Sequence, residues 1–211
     1  MNIKNQQRNP VLLIHGIDDT RAVFQKMAVH LVLQGWSVHS LNLVPNNGDV
    51  GLDELAKQVA DYVTATFAPE QRLDLIGFSM GGIVSRYYVQ RLGGINRVQR
   101  FITISSPHNG TVVAYGSSRP GCLQMRPDSI LLKDLNSDAV MLGQLDFTSI
   151  WTPYDLMIVP ANSSQMSVGR EVIVPVALHP WMLTDSRSLT VVTAALAKPI
   201  KLPLLNKKPS Q

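Results

Sequence analysis

A single cysteine, Cys122, stands among 211 residues, so no disulfide can form within the chain. No apolar run approaches the ~20 residues that a membrane-spanning helix requires. The stretch from Met1 to Asn9 is polar and lacks the apolar core of a secretory leader, and a cytoplasmic protein is expected on that basis. Aromatic residues make up 6% of the chain, and the basic residues are scattered instead of interleaved with them along one face, which argues against a nucleic-acid surface. Histidine and carboxylate side chains nowhere cluster at ligand spacing, so neither a metal nor another cofactor is expected. There is no internal repeat and no long linker. What the chain does have is 45% hydrophobic content, enough at this length to bury one sizeable core without a second domain.

Apolar runs and helical periodicities alternate along the chain, as a parallel sheet with crossover helices demands. Strands are predicted at Val11 to Ile14, Ser37 to Leu41, Leu73 to Phe78, Arg100 to Ser105, Thr148 to Thr152 and Glu171 to Val176. Helices are predicted at about Thr20 to Gln34, Leu52 to Phe67, Met80 to Leu92 and Ser188 to Ala197. In the second helix Leu52, Leu55, Val59, Tyr62, Val63 and Phe67 share a face, and Asp53 and Glu54 in its first turn complement the helix dipole. From Lys198 to Gln211 the composition turns to proline and lysine, and an extended tail is expected there. The net charge of +4 and pI near 9.3 suit peripheral contact with an anionic membrane surface, though a charge of this size also fits an ordinary solvated surface.

Residues Gly77-Phe78-Ser79-Met80-Gly81 follow directly on the apolar run Leu73 to Ile76, so a strand delivers a serine into a glycine-lined turn. In such an elbow the flanking positions must be small, because a larger side chain would collide with the neighbouring strand and helix. A serine used in this way needs oxyanion donors, an acid and a histidine. Upstream, the strand Val11 to Ile14 runs into His15-Gly16-Ile17, which can aim the Ile17 N–H across the sheet edge. The second donor is the N–H of Met80, at the start of the following helix.

The acid comes from Asp128, Asp134, Asp138, Asp146 and Asp155. Asp155 follows a strand by a short turn at the carboxyl edge of the sheet, where catalytic groups gather. The first three fall around an amphipathic helix near Ser129 to Leu135, and Asp146 precedes its strand at the wrong end. Among five histidines, His30 falls in a helix and His39 in a strand, while His15 braces the oxyanion turn. His108 is the rival base, but it precedes Asp155, whereas the serine, acid, histidine order puts the base last. His179, between the last strand and the last helix, satisfies that order.

Taken together, His15-Gly16-Ile17, Gly77 to Gly82, Ile104 to Thr111, Asp155 in Thr152-Pro153-Tyr154-Asp155 and His179 in Leu178-His179-Pro180 make the chain resemble the small α/β-hydrolase lipases and esterases of bacteria. The family's elbow more often carries histidine where this chain has Phe78. The resemblance implies a single α/β-hydrolase domain with helices on both faces of a mostly parallel sheet, and a Ser79, His179, Asp155 triad. It further implies a serine carboxylic-ester hydrolase, a lipase acting on glycerolipid esters through an acyl-enzyme. An acyl thioesterase, or a non-catalytic module that binds a lipid or a partner, are the alternatives. Residues 111 to 147 stand where such lipases carry a lid or acyl-binding cap. Their many apolar side chains either line an acyl pocket or only cover the core, and Met166 and Met182 are candidate walls of that pocket.

Overall fold

A computed structural model describes residues 8–199; the N-terminal seven residues and most of the predicted Pro/Lys-rich tail, residues 200–211, lie outside the described part. In chain order the elements are β1 (Val11–Ile14), α1 (Gln25–Leu33), β2 (Val38–Ser40), α2 (Leu52–Thr66), β3 (Leu73–Phe78) and α3 (Met80–Arg91). They continue with β4 (Val98–Ile104), α4 (Pro120–Gln124), α5 (Ile130–Ser137), β5 (Asp146–Trp151), β6 (Arg170–Ile173) and α6 (Ser186–Leu196). All six predicted strands and all four predicted helices are present. The first predicted helix begins as a separate 3-10 turn, Arg21–Phe24, where the Thr20 hydroxyl accepts from the Ala22 amide, and only then becomes α1. Asp146 belongs to β5, at its amino end.

The six strands form one parallel sheet in the order β2-β1-β3-β4-β5-β6. From β1 the chain first winds outward to β2, then returns across β1 to lay down β3. The strand order therefore reverses between β1 and β3, and a crevice opens beyond the carboxyl ends of strands at such a reversal. Ile14 of β1 pairs with Gly77 of β3, so His15 to Ile17, after β1, lie beside Phe78, the last residue of β3, and Ser79, which follows it.

Every residue of β1 is buried, as expected for a central parallel strand covered on both faces. Leu12 and Ile14 point to a core shared with Leu55, Val59 and Val63 of α2 and Ile83 and Val84 of α3. Val11 and Leu13 point to the opposite core, with Met27 and Leu31 of α1 and Leu189 and Val192 of α6. At the amino end of the sheet the fully buried Asp74 accepts from the Arg100 guanidinium at 2.9 Å, and Arg100 also bonds the carbonyl of Lys198, which ties the start of the tail down. No helix among the described residues is long and apolar enough to cross a membrane.

Candidate active site

The crevice takes its shape from the turn between β3 and α3. Ser79 has φ 53° and ψ −126°, a conformation that costs a side-chain-bearing residue ~1–3 kcal/mol. Its amide donates to the Ile104 carbonyl at 2.9 Å and its carbonyl accepts from Gly82 N–H at 3.0 Å. Two glycines make the approach possible. A β-carbon at Gly77 would stand 2.5 Å from the Gly82 α-carbon, and one at Gly81 would run into the carbonyl oxygens of Ile14 and His15. The helix can thus start hard against the end of β1, with the serine at its tip.

Asp155 and His179, the predicted acid and base, come from two loops further along the sheet edge. Asp155 lies four residues beyond the end of β5, and its Oδ1 accepts from the amides of Met157 and Ile158, both at 2.9 Å. Its Oδ2 accepts from His179 Nδ1–H at 2.7 Å. Burial pushes the Asp155 carboxyl upward, but the hydrogen bond from His179, the His179 charge and the two backbone amides reverse this, so the net displacement is below the usual carboxylate range. With its Nδ1 proton held by the acid, His179 presents Nε2 as a lone pair. The imidazole packs on the ring of Phe78, the residue before Ser79, with centroids 4.8 Å apart. Thr152 joins the two loops, its hydroxyl donating to the Val176 carbonyl at 2.6 Å.

Across the crevice, His15 accepts from the Leu43 amide at Nε2 (2.9 Å), which leaves its Nδ1–H to donate to the Gly16 carbonyl at 2.8 Å. Burial lowers its pKa, so it is a neutral brace for the turn. Among the described residues nothing accepts from the Ile17 or Met80 N–H, leaving both donors available beside the dipole-positive start of α3.

The remaining histidines and acids stand elsewhere. His108 is wholly buried, Nε2 at 2.9 Å from the Thr103 hydroxyl, and desolvation together with the nearby Arg86 charge keeps it neutral. His30 bonds Thr193 on α6, and His39 lies on the short edge strand β2. Asp134 and Asp138 pair with Arg91 of α3.

Residues 111 to 147 form 3-10 turns and the short helices α4 and α5. Their Met125, Leu131, Leu132, Leu135 and Leu142 are buried in the main core, so part of the apolar content there covers the core. Val112, Val113, Leu123, Ile130 and Val140 remain open to solvent. Met182 is likewise core, with no exposed surface, and does not line the crevice.

Three contributions were not foreseen. Arg86 of α3, fully buried, donates to Gln90, to Asn136 and to the Leu135 carbonyl, fastening α5 onto the helix that follows Ser79. Thr111 donates to the Met157 carbonyl and accepts from the Val159 amide, fixing the acid loop. Asp19 stands beside Gly16; two consecutive acids directly after the His-Gly-Ile turn were the signal for it. Among the described residues there is no group of three or more His, Cys, Asp or Glu placed to hold a metal ion.

The model of the family described as palmitoyl protein thioesterase matches residues 10–144. The matched part carries the His15-Gly16-Ile17 turn and the Ser79 elbow and ends before Asp155 and His179. Among solved structures the chain is similar to the mature form of Bacillus licheniformis lipase BlEst2, at 13% identity and a TM-score of 0.75 over 91% of this chain and 93% of that one. It is similar to Aspergillus fumigatus lipase B, at 18% identity and TM-score 0.78, over 92% of this chain but 53% of that longer one. An extracellular α/β-hydrolase from a Paenibacillus species aligns at 17% identity and TM-score 0.65, over 89% and 98% of the two chains. At these identities what is shared is the fold, which is that of the α/β-hydrolases.

Proposed function

Since the chain belongs to the palmitoyl protein thioesterase family, we propose that it is a serine hydrolase that cleaves acyl esters or thioesters through a covalent acyl-enzyme. The observation that carries this reading is the 2.7 Å bond between Asp155 and His179, brought from separate loops to the sheet edge that holds the strained Ser79. In this reading Ser79 Oγ attacks the acyl carbonyl carbon as its proton passes to His179 Nε2. Asp155 stabilises the resulting imidazolium, and the Ile17 and Met80 amides receive the oxyanion. The imidazolium returns the proton to the leaving oxygen or sulfur as that bond breaks. Water then attacks the acyl-enzyme, again losing its proton to His179, and the acid and free Ser79 are released.

For the acyl part we favour a fatty chain on a glycerolipid ester. The loops that carry Asp155 and His179 expose Leu156, Met157, Leu178 and Trp181, an apolar rim suited to a chain arriving from a lipid surface, and the net charge of +4 favours an anionic one. The family match supports a second reading, a fatty acyl thioester, since the same groups serve either leaving atom. Rates on nitrophenyl esters from acetyl to palmitoyl, and on matched acyl thioesters, with Ser79→Ala as blank, test both. Ser79-dependent turnover rising with chain length is expected, and the larger ester or thioester rate decides between leaving groups. Absence of Ser79-dependent turnover on both series would refute the proposal.

A further inference from the structure

An oxyanion pocket poses a chemical difficulty for the enzyme that uses it. Donors that hold the transient oxyanion also suit the carboxylate of the released acid, which would then remain bound. Asp19 stands where it can resolve this. A β-carbon on Gly16 would lie 3.1 Å from the Ser79 β-carbon and 3.2 Å from Asp19 Oδ2, so the carboxylate and the serine side chain both border the space of one absent methyl group. Asp19 is half-buried, yet among the described residues neither of its oxygens accepts a hydrogen bond.

The turn does not need that side chain for its shape. Asn46 holds the backbone on both sides, donating to the Asp19 carbonyl and accepting from the Asp18 amide at 2.9 Å. An unpaired, partly desolvated carboxylate beside a nucleophile, without a structural task, is the mark of a functional group. The titratable groups that face it are His15, His179 and Asp18. Burial raises its pKa, and the imidazoles of His15 and His179 oppose the rise whenever they are protonated.

We propose that Asp19 is a specificity-determining residue which keeps free carboxylates, including the acid product, out of the oxyanion pocket. The inference rests on the reaction proposed above. In the transition state the oxyanion is accompanied by the His179 imidazolium, so Asp19 repels one charge and attracts the other. With a bound product carboxylate and neutral His179, only the repulsion remains. The fixed charge therefore discriminates between transition state and product, which the oxyanion amides alone cannot do.

Octanoate and its neutral isostere octanamide are the probes, measured as competitive inhibitors and, independently of turnover, by calorimetry. Asp19→Asn should bind octanoate about fivefold more tightly, the effect of one charge at this range in a half-solvated site, with octanamide affinity unaltered. Asp19→Glu, which keeps the charge, should bind octanoate as weakly as the parent. Unchanged octanoate affinity in Asp19→Asn, equal tightening of both probes, or no octanoate binding to either protein would overturn the inference. Tightening in a chain without Ser79-dependent turnover would instead refute the proposed reaction and leave the electrostatic role of Asp19 supported.

Discussion

Ser79 occupies a backbone conformation that ordinary residues avoid, and the strain is held because β3, α3 and the glycines around it allow no other path. Replacing the hydroxyl alone leaves those constraints in place. Ser79→Ala and His179→Ala should each fold as the parent does, by circular dichroism, and lose at least about ten-thousandfold in kcat on whichever acyl substrate is turned over. Asp155→Asn should cost a similar factor, because the amide no longer enforces the Nδ1–H tautomer.

Asp155 also links the site to stability. Its folded pKa lies below the ordinary value, so the unfolded chain takes up a proton first as pH falls. The stabilisation from this carboxylate is complete above the unfolded pKa of about 4 and is lost as pH drops through the lower folded value. Denaturant melts between pH 7 and pH 3 should show a shallower acid decline for Asp155→Asn than for the parent.

At the scale of elements, two contacts hold the site's supports together. The first is the meeting of α3 with the end of β1 at Gly81. Gly81→Ala would force a methyl group into the Ile14 and His15 carbonyls, and a loss of at least ~2 kcal/mol in unfolding free energy is expected. The second is the buried Arg86, whose pKa desolvation lowers to about 10, so that it stays charged at neutral pH. Arg86→Leu removes three hydrogen bonds, to Gln90, Asn136 and the Leu135 carbonyl, which keeps only the Gln90 amide as a donor, costing ~3 kcal/mol, or about 10 °C in Tm for a chain of this size. Neither contact was legible beforehand. Arg86 reads in the sequence as an ordinary helix arginine, and its burial depends on α5, which packs on α3 only in the fold. The glycines of the elbow were legible as a need for small residues, while the strand they abut was not. The start of α1 was misjudged because Thr20 caps a 3-10 turn, whose pattern over four residues is indistinguishable from the first turn of an α-helix.

For the whole molecule, the winding of the chain matters more than any one element. Six strands and four helices could be read from runs of apolar residues because both faces of the sheet are covered, which makes the central strands continuously apolar. The order of the strands could not be read that way, and it is the reversal between β1 and β3 that sets His15-Gly16-Ile17 opposite Ser79. Position just after a strand singled out Asp155, chain order singled out His179, and the fold joins them by a hydrogen bond. Asp19 escaped because a pair of acids in a turn, Asp18 and Asp19, reads as an ordinary solvated feature until the fold sets Asp19 beside Ser79 around the β-carbon that Gly16 lacks. In Met182, Met125, Leu131, Leu132, Leu135 and Leu142, hydrophobicity reported burial in the core.

The decisive property of the site is whether Ser79 is activated by the pair behind it. Labelling with a fluorophosphonate, read by intact mass and located by peptide mapping, measures this without knowledge of the substrate. One adduct on Ser79 is expected, absent in Ser79→Ala and at least a hundredfold slower in His179→Ala. Folded parent protein that takes no label, or an adduct that forms as fast in His179→Ala, would contradict it and favour a hydrolase fold used for binding alone.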